Sequence, residues 1–221
     1  MKKIQLEKIN LDCDMEVCGN FLQFISEATD NQQDILNIII QDNQLQNYDL
    51  SKLTFENIIF RDCSFTDVVL EHCSFNNVLF DSCSFSNCNF SKSWFEKCEF
   101  RNSQYKSSNF SSTNIINVSI QGSGFRYANF TSSRFDKCEI INSDLTDAFF
   151  AECDLKQFVV SDSQFTRTEF FHTPLKGIDF TTCTLNGICI SNDGRELNGA
   201  IVNLYQAAEL SKILGLIIND D

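Results

Sequence analysis

Large apolar residues recur at every fifth position of this chain, without a break, from Ile35 to Ile190. The series holds 32 positions and 17 of them are Phe, as in the run Phe75, Phe80, Phe85, Phe90, Phe95 and Phe100. A second beat lies two residues before the first. All 19 such positions from Cys63 to Cys153 are Cys, Ser, Thr, Ala or Val. Asn, Asp, Ser, Lys and Glu crowd the remaining positions, so the unit reads small, polar, large apolar, polar, polar.

A period of five suits neither an α-helix at 3.6 residues per turn nor a plain strand at two. It suits a coil that turns a corner every five residues and points one large and one small side chain inward on each side. Four sides make a square turn of 20 residues, and residues 31–190 then give eight coils. Stacked at the strand spacing of about 4.8 Å, they form a rod of roughly 38 Å, with Phe on Phe and backbone pairing as in a parallel sheet. Gly and Pro, the usual corner residues, number only 8 and 1, so other residues have to turn the chain.

This pattern resembles that of the pentapeptide-repeat proteins. The resemblance implies an all-β solenoid, a right-handed quadrilateral β-helix of about eight coils. The corresponding division of the chain is an N-terminal cap or irregular coil over 1–30, the β-helix over 31–190, and a C-terminal helix with a dimerisation tail over 191–221. In the first segment Ile4, Leu6, Ile9 and Leu11 suggest a coil-like pattern in another register.

Eight of the 11 cysteines (63, 73, 83, 88, 98, 138, 153 and 183) fall at the small inward position, where free Cys acts as a small hydrophobe. Cys63 and Cys83 stack on adjacent coils, about 5 Å apart, but parallel side chains are poorly oriented for a disulfide. There is no Cys-x-x-Cys pair, which argues against zinc. His72 and His172 lie five coils apart, roughly 24 Å, too far to share a metal or a reaction. No Gly-rich phosphate loop appears, and no base stands at a recognisable spacing from the many hydroxyls. The expectation is a protein without catalytic residues, metal or cofactor.

Charge changes the picture more. The formal net charge of −13 opposes direct binding to a phosphate backbone and favours a basic partner. Sorting by side, the one centred on residues 40, 60, 80 and so on to 180 holds Asp42, Asp62, Asp81, Glu99, Glu139, Asp162 and Asp179, against only Arg61 and Arg101. An acidic stripe on a thin rod can imitate the phosphate track of DNA. The imitation is partial: the coil carries about 0.2 charges per Å, against about 0.6 for the duplex. The start "MKKIQLEKIN" has no apolar core behind its basic residues, and no stretch reaches the roughly 20 apolar residues that span a bilayer. A cytoplasmic protein with no membrane contact is expected.

The tail supplies a cap. Asn203 is placed to N-cap a helix, Gln206 stands at its third position, and Gly215 suits a left-handed ending. Leu204, Ala207, Ala208, Leu210, Ile213, Leu214, Leu216, Ile217 and Ile218 form an apolar surface that can pack on the last coil and make a two-fold homodimer. This tail is similar to that of the Qnr-type quinolone-resistance proteins, most closely those of Gram-positive bacteria. The resemblance implies a dimer shaped like DNA that binds DNA gyrase and topoisomerase IV and protects them from quinolones. Qnr proteins of Gram-negative bacteria carry loops that interrupt the repeat, whereas residues 35–190 here have none. The alternative reading is an interaction scaffold for a partner other than a topoisomerase.

Overall fold

The computed structural model describes residues 4–11, 15–31, 34–213 and 215–219. Its body is a right-handed β-solenoid of about seven turns with a short helix at each end. The strands are β1 (Glu16–Val17), β2 (Ile35–Gln41), β3 (Gln44–Gln46), β4 (Thr54–Arg61), β5 (Ser64–Thr66), β6 (Ser74–Asp81), β7 (Ser84–Ser86), β8 (Trp94–Glu96), β9 (Glu99–Arg101), β10 (Asn114–Gln121), β11 (Arg134–Ile141) and β12 (Asp154–Ser161). The helices are α1 (Phe21–Asn31) and α2 (Leu204–Ile213).

Every strand pair within the solenoid is parallel and joins residues 20 apart, as in Phe55↔Phe75 and Phe60↔Phe80. The long strands bend round one corner, so the large sheet covers two sides of the square, while β3, β5 and β7 pair on a third. The fourth side is held by single bridges such as Val69↔Asn89 and Asn109↔Asn129. The eighth coil is thinner than the sequence suggests. Residues 175–190 form no strand and keep only bridges such as Gln164↔Thr184 and Glu169↔Cys189.

Left-handed backbone makes the corners. Every fifth residue from Asn37 to His172 has φ near +55°, with Gly122 the only glycine in that run. Asn and Asp tolerate this conformation best among residues with a side chain, which accounts for Asn57, Asp62, Asp67, Asn77 and Asn87 at successive or near-successive corners.

Inside, the rings stack along the axis. Phe55, Phe75 and Phe95 lie 4.9 and 4.7 Å apart with planes within 7°, and Phe85, Tyr105 and Phe125 follow at 5.2 and 4.6 Å. Such pairs contribute about 0.5–1.5 kcal/mol each beyond burial. One turn departs from the pattern. Phe158 occupies a small position, meets Phe135 edge-on at 5.3 Å, and leaves Leu155 half-buried.

The ends differ. α1 covers the first coil with Phe21, Ile25 and Ala28, and Phe21 stacks on Phe65 at 6.1 Å. Residues 4–11 do not form a coil. They run along the outside of a corner, where Asn10 and Glu7 pair with Asn77 and Asn117. Among the described residues no helix is long and apolar enough to cross a membrane.

Candidate partner-binding surface

The seven acids share one side but do not form a single file. Asp42, Asp62 and Asp162 occupy left-handed corners. Glu99 opens β9, Glu139 lies in β11, and Asp179 bridges Ile201; each precedes its inward residue. Asp81 ends β6 just after Phe80. The 20-residue register puts each acid directly above or below the equivalent position of the next turn, about 4.8 Å away.

Their partners divide them further. Arg101 forms an ion pair with Glu99 on its own strand, and Arg61 reaches Asp81 of the next turn at 3.9 Å. The Ser119 hydroxyl donates to Glu139 at 2.8 Å, and Gln41 donates to Asp42 at 3.0 Å. Asp179 accepts the Thr181 hydroxyl at 2.7 Å and its N–H at 3.0 Å, and these bonds hold its carboxyl below the usual range. The carboxylates of Asp62 and Asp162 make no hydrogen bond or ion pair among the described residues.

Sorting by charge alone missed an apolar column on this side. The outward position that carries Glu99 and Glu139 carries Ile39, Ile59 and Leu79 in the preceding turns. Ile59 and Leu79 are buried, yet stand outside the core cluster. The acids of the first three turns therefore flank an apolar strip. Its signal, three large aliphatics 20 residues apart, was present in the sequence.

In the tail, Asn203 and Gln206 cap α2 reciprocally. The Gln206 N–H donates to Oδ1 of Asn203 at 3.0 Å, and the Asn203 N–H donates to Oε1 of Gln206 at 2.8 Å. The Gln206 amide also donates to the Phe180 and Cys183 carbonyls, at 2.8 and 2.6 Å, which fastens α2 to the last turn. Gly215 at φ +78° ends the helix, with Leu216 N–H on the Ser211 carbonyl. Leu210 is buried in the core and so holds the helix down instead of facing outward. Ala208 is half-buried, while Leu204, Ala207, Ile213, Leu216, Ile217 and Ile218 are exposed. Leu214 lies outside the described residues. Tyr205, which the apolar pattern passed over, is 83% exposed beside Leu204 at 81%.

A family profile described as "Pentapeptide repeat region" matches residues 38–110, and one described as "Pentapeptide repeats (8 copies)" matches 108–150. The chain belongs to the pentapeptide-repeat proteins. Among solved pentapeptide-repeat structures it is similar to a trypsin-treated variant of QnrB1, a plasmid-mediated fluoroquinolone resistance protein. The identity there is 19%, the match covers 84% of this chain and 99% of that one, and the TM-score is 0.46. It is also similar to HetL, involved in heterocyst differentiation regulation in the cyanobacterium Nostoc, at 11% identity, 80% and 96% coverage and a TM-score of 0.39. No curated protein sequence matches the chain.

The pentapeptide repeat also explains the cysteines. Six of the eight small inward thiols, those of Cys63, Cys73, Cys88, Cys98, Cys138 and Cys153, donate to a carbonyl 23 residues back, as Cys73 does to Leu50 at 3.1 Å and Cys153 to Phe130 at 3.0 Å. Ser93 and Ser133 make the same bond to Leu70 and Phe110, each at 2.8 Å. The position wants a small side chain with one donor, and Cys and Ser both meet it. Burial pushes the Cys73, Cys98, Cys138 and Cys153 thiols up to about 12, which keeps them protonated and unreactive. All the described cysteines are free, and among the described residues no group of three His, Cys, Asp or Glu could hold a metal ion. His72 and His172 are both corner residues at left-handed φ.

Proposed function

We propose that this pentapeptide-repeat protein is a non-enzymatic, cytoplasmic binding protein that engages DNA gyrase and topoisomerase IV through its acidic side, in place of duplex DNA, and so protects them from quinolones. The observation that carries the reading is the set of unpaired corner carboxylates, Asp62 and Asp162, on a flat, ladder-held side. They stand five turns apart, about 24 Å at the strand spacing, and a rigid solenoid fixes that separation before any partner arrives. Two copies joined tail to tail through Leu204, Tyr205 and Ile217 would double the length of the acidic rod, and the likeness of the tail to Qnr-type proteins supports that arrangement.

The test is gyrase supercoiling in the presence of ciprofloxacin with purified protein added over a wide concentration range. Restored supercoiling is expected, and its absence at every concentration removes drug protection. The charge reversals Asp62→Lys and Asp162→Lys should weaken gyrase binding at least ten-fold when combined. Unchanged binding would discard the acidic side as the contact. Should a pull-down recover other proteins but no topoisomerase subunit, the scaffold alternative takes its place.

A further inference from the structure

The corner at residues 37, 57, 77, 97 and 117 carries a row of amides broken by one lysine: Asn37, Asn57, Asn77, Lys97 and Asn117. Asn57 donates to Asn37 at 2.8 Å and Asn77 donates to Asn57 at 2.7 Å, which aligns the amides along the rod. Two of them grip residues 4–11 by the backbone alone. Asn77 accepts the N–H of Asn10 and donates to its carbonyl, both at 2.8 Å. Asn117, itself buried, accepts the N–H of Glu7 at 2.8 Å and donates to its carbonyl at 3.1 Å. Each side-chain amide therefore acts as the peptide group of a missing neighbouring strand.

The spacing explains why the grip repeats. Asn77 and Asn117 are two turns apart, about 9.6 Å, and three extended residues from 7 to 10 span about 10 Å. Midway stands Lys97, whose ammonium meets the Glu7 carboxylate at 2.7 Å. The segment is held at these points and not along its length. A cavity of about 770 Å³ opens beside Lys8 and Asn10, and one of about 500 Å³ opens beneath Leu6 and Glu7 towards Glu99 and Glu139.

We propose that this corner is a binding site for an extended polypeptide segment bearing a carboxylate, and that residues 4–11 are its resident, displaceable ligand. The site reads backbone through Asn77 and Asn117 and charge through Lys97. A partner presenting an extended strand with an acidic residue three positions before the second gripped residue can replace the chain's own segment. The inference stands apart from the topoisomerase reading, because it involves neither Asp62, Asp162 nor the tail.

The experiment uses the full chain and the octapeptide IQLEKINL, which copies residues 4–11, observed by chemical-shift perturbation up to millimolar concentration. In the double variant Glu7→Pro with Asn10→Pro, the resident segment loses both gripped N–H groups and the carboxylate while the solenoid is untouched. The peptide should bind this variant at least ten-fold more tightly than the wild type. Adding Asn77→Asp and Asn117→Asp should abolish that binding, since Asp keeps the left-handed corner but cannot donate, and circular dichroism would confirm the fold. Replacing Glu by Gln in the peptide should weaken binding several-fold. Equal affinity for wild type and the proline variant, binding that survives the two Asp changes, or no binding at all would each overturn the proposal.

Discussion

The two ends of the solenoid are closed by helices of nearly equal length, 11 residues in α1 and 10 in α2, but by opposite means. α1 is an apolar plug, seated on the first coil by Phe21, Ile25 and Ala28. α2 contributes Leu210 alone to the core and is otherwise fastened by hydrogen bonds. Gln206 takes two carbonyls of the last turn, and Glu196, in the 3₁₀ turn before α2, takes the His172 N–H at 2.9 Å where the next coil would have offered a carbonyl. A cap that satisfies backbone with side-chain amides and carboxylates has no need to spend its apolar residues. That leaves Leu204, Tyr205 and Ile217 for another surface.

Removing Phe21 should have the largest effect. Phe21→Ala is expected to cost about 3–5 kcal/mol in chemical denaturation, the usual range for a buried ring. Gln206→Ala strands two carbonyls and one cap, and should cost about 1–3 kcal/mol; a loss comparable to that of Phe21→Ala would erase the contrast between the ends.

Glu196 gives the contrast a pH dependence. Burial works against its charge, but hydrogen bonds from the Ser191 hydroxyl and the His172 N–H prevail and hold its carboxyl below the usual range. A depressed carboxyl stabilises the fold above its unfolded value of about 4.3, and that contribution fades as pH falls through the lower folded value. Wild type should therefore exceed Glu196→Gln in stability at pH 6 by more than at pH 3, measured by thermal unfolding across that range. A constant difference would count against the assignment.

Between the ends, the buried Tyr105 hydroxyl has no hydrogen-bond partner among the described residues. Tyr105→Phe should be neutral or stabilise by about 1 kcal/mol. Least of all on stability should be Ile217→Asp, at a tail residue 98% exposed; a change within about 0.5 kcal/mol is expected. If the tail joins two copies, the same substitution should turn dimers into monomers in light scattering, so one variant separates folding from assembly.

The five-residue beat made the interior legible, because each inward ring repeats the same packing problem and Phe answers it at 17 positions. Cap chemistry in the tail was legible too, and it foretold the Asn203 and Gln206 capping pair and the Gly215 ending, since those signals are local. What escaped depends on contacts between distant parts. Phe158 stands at a small position beside a half-buried Leu155, and its ring is accommodated edge-on against Phe135 of the preceding turn. Leu210 looked like Leu204 in the apolar pattern, and only the angle at which Gln206 seats α2 sends one inward and the other out. The grip of Asn77 and Asn117 on residues 4–11 was equally hidden. An asparagine that turns a corner looks the same in sequence whether or not its amide also holds another strand.

The uniform left-handed corner has a consequence for how such a chain can change length. Deleting a single unit, for example residues 103–107, would keep every inward side chain inward. It would also rotate all that follows by a quarter turn, so that Glu139 and Asp162 would stand on a different side from Asp42 and Asp62. Deleting four units would shorten the rod by one turn, about 4.8 Å, and leave the sides aligned. Sequence position here works like the index of a ratchet, fixing height and angle together. Of two alterations with the same composition, the one that is a multiple of 20 residues preserves the surface and the other scrambles it.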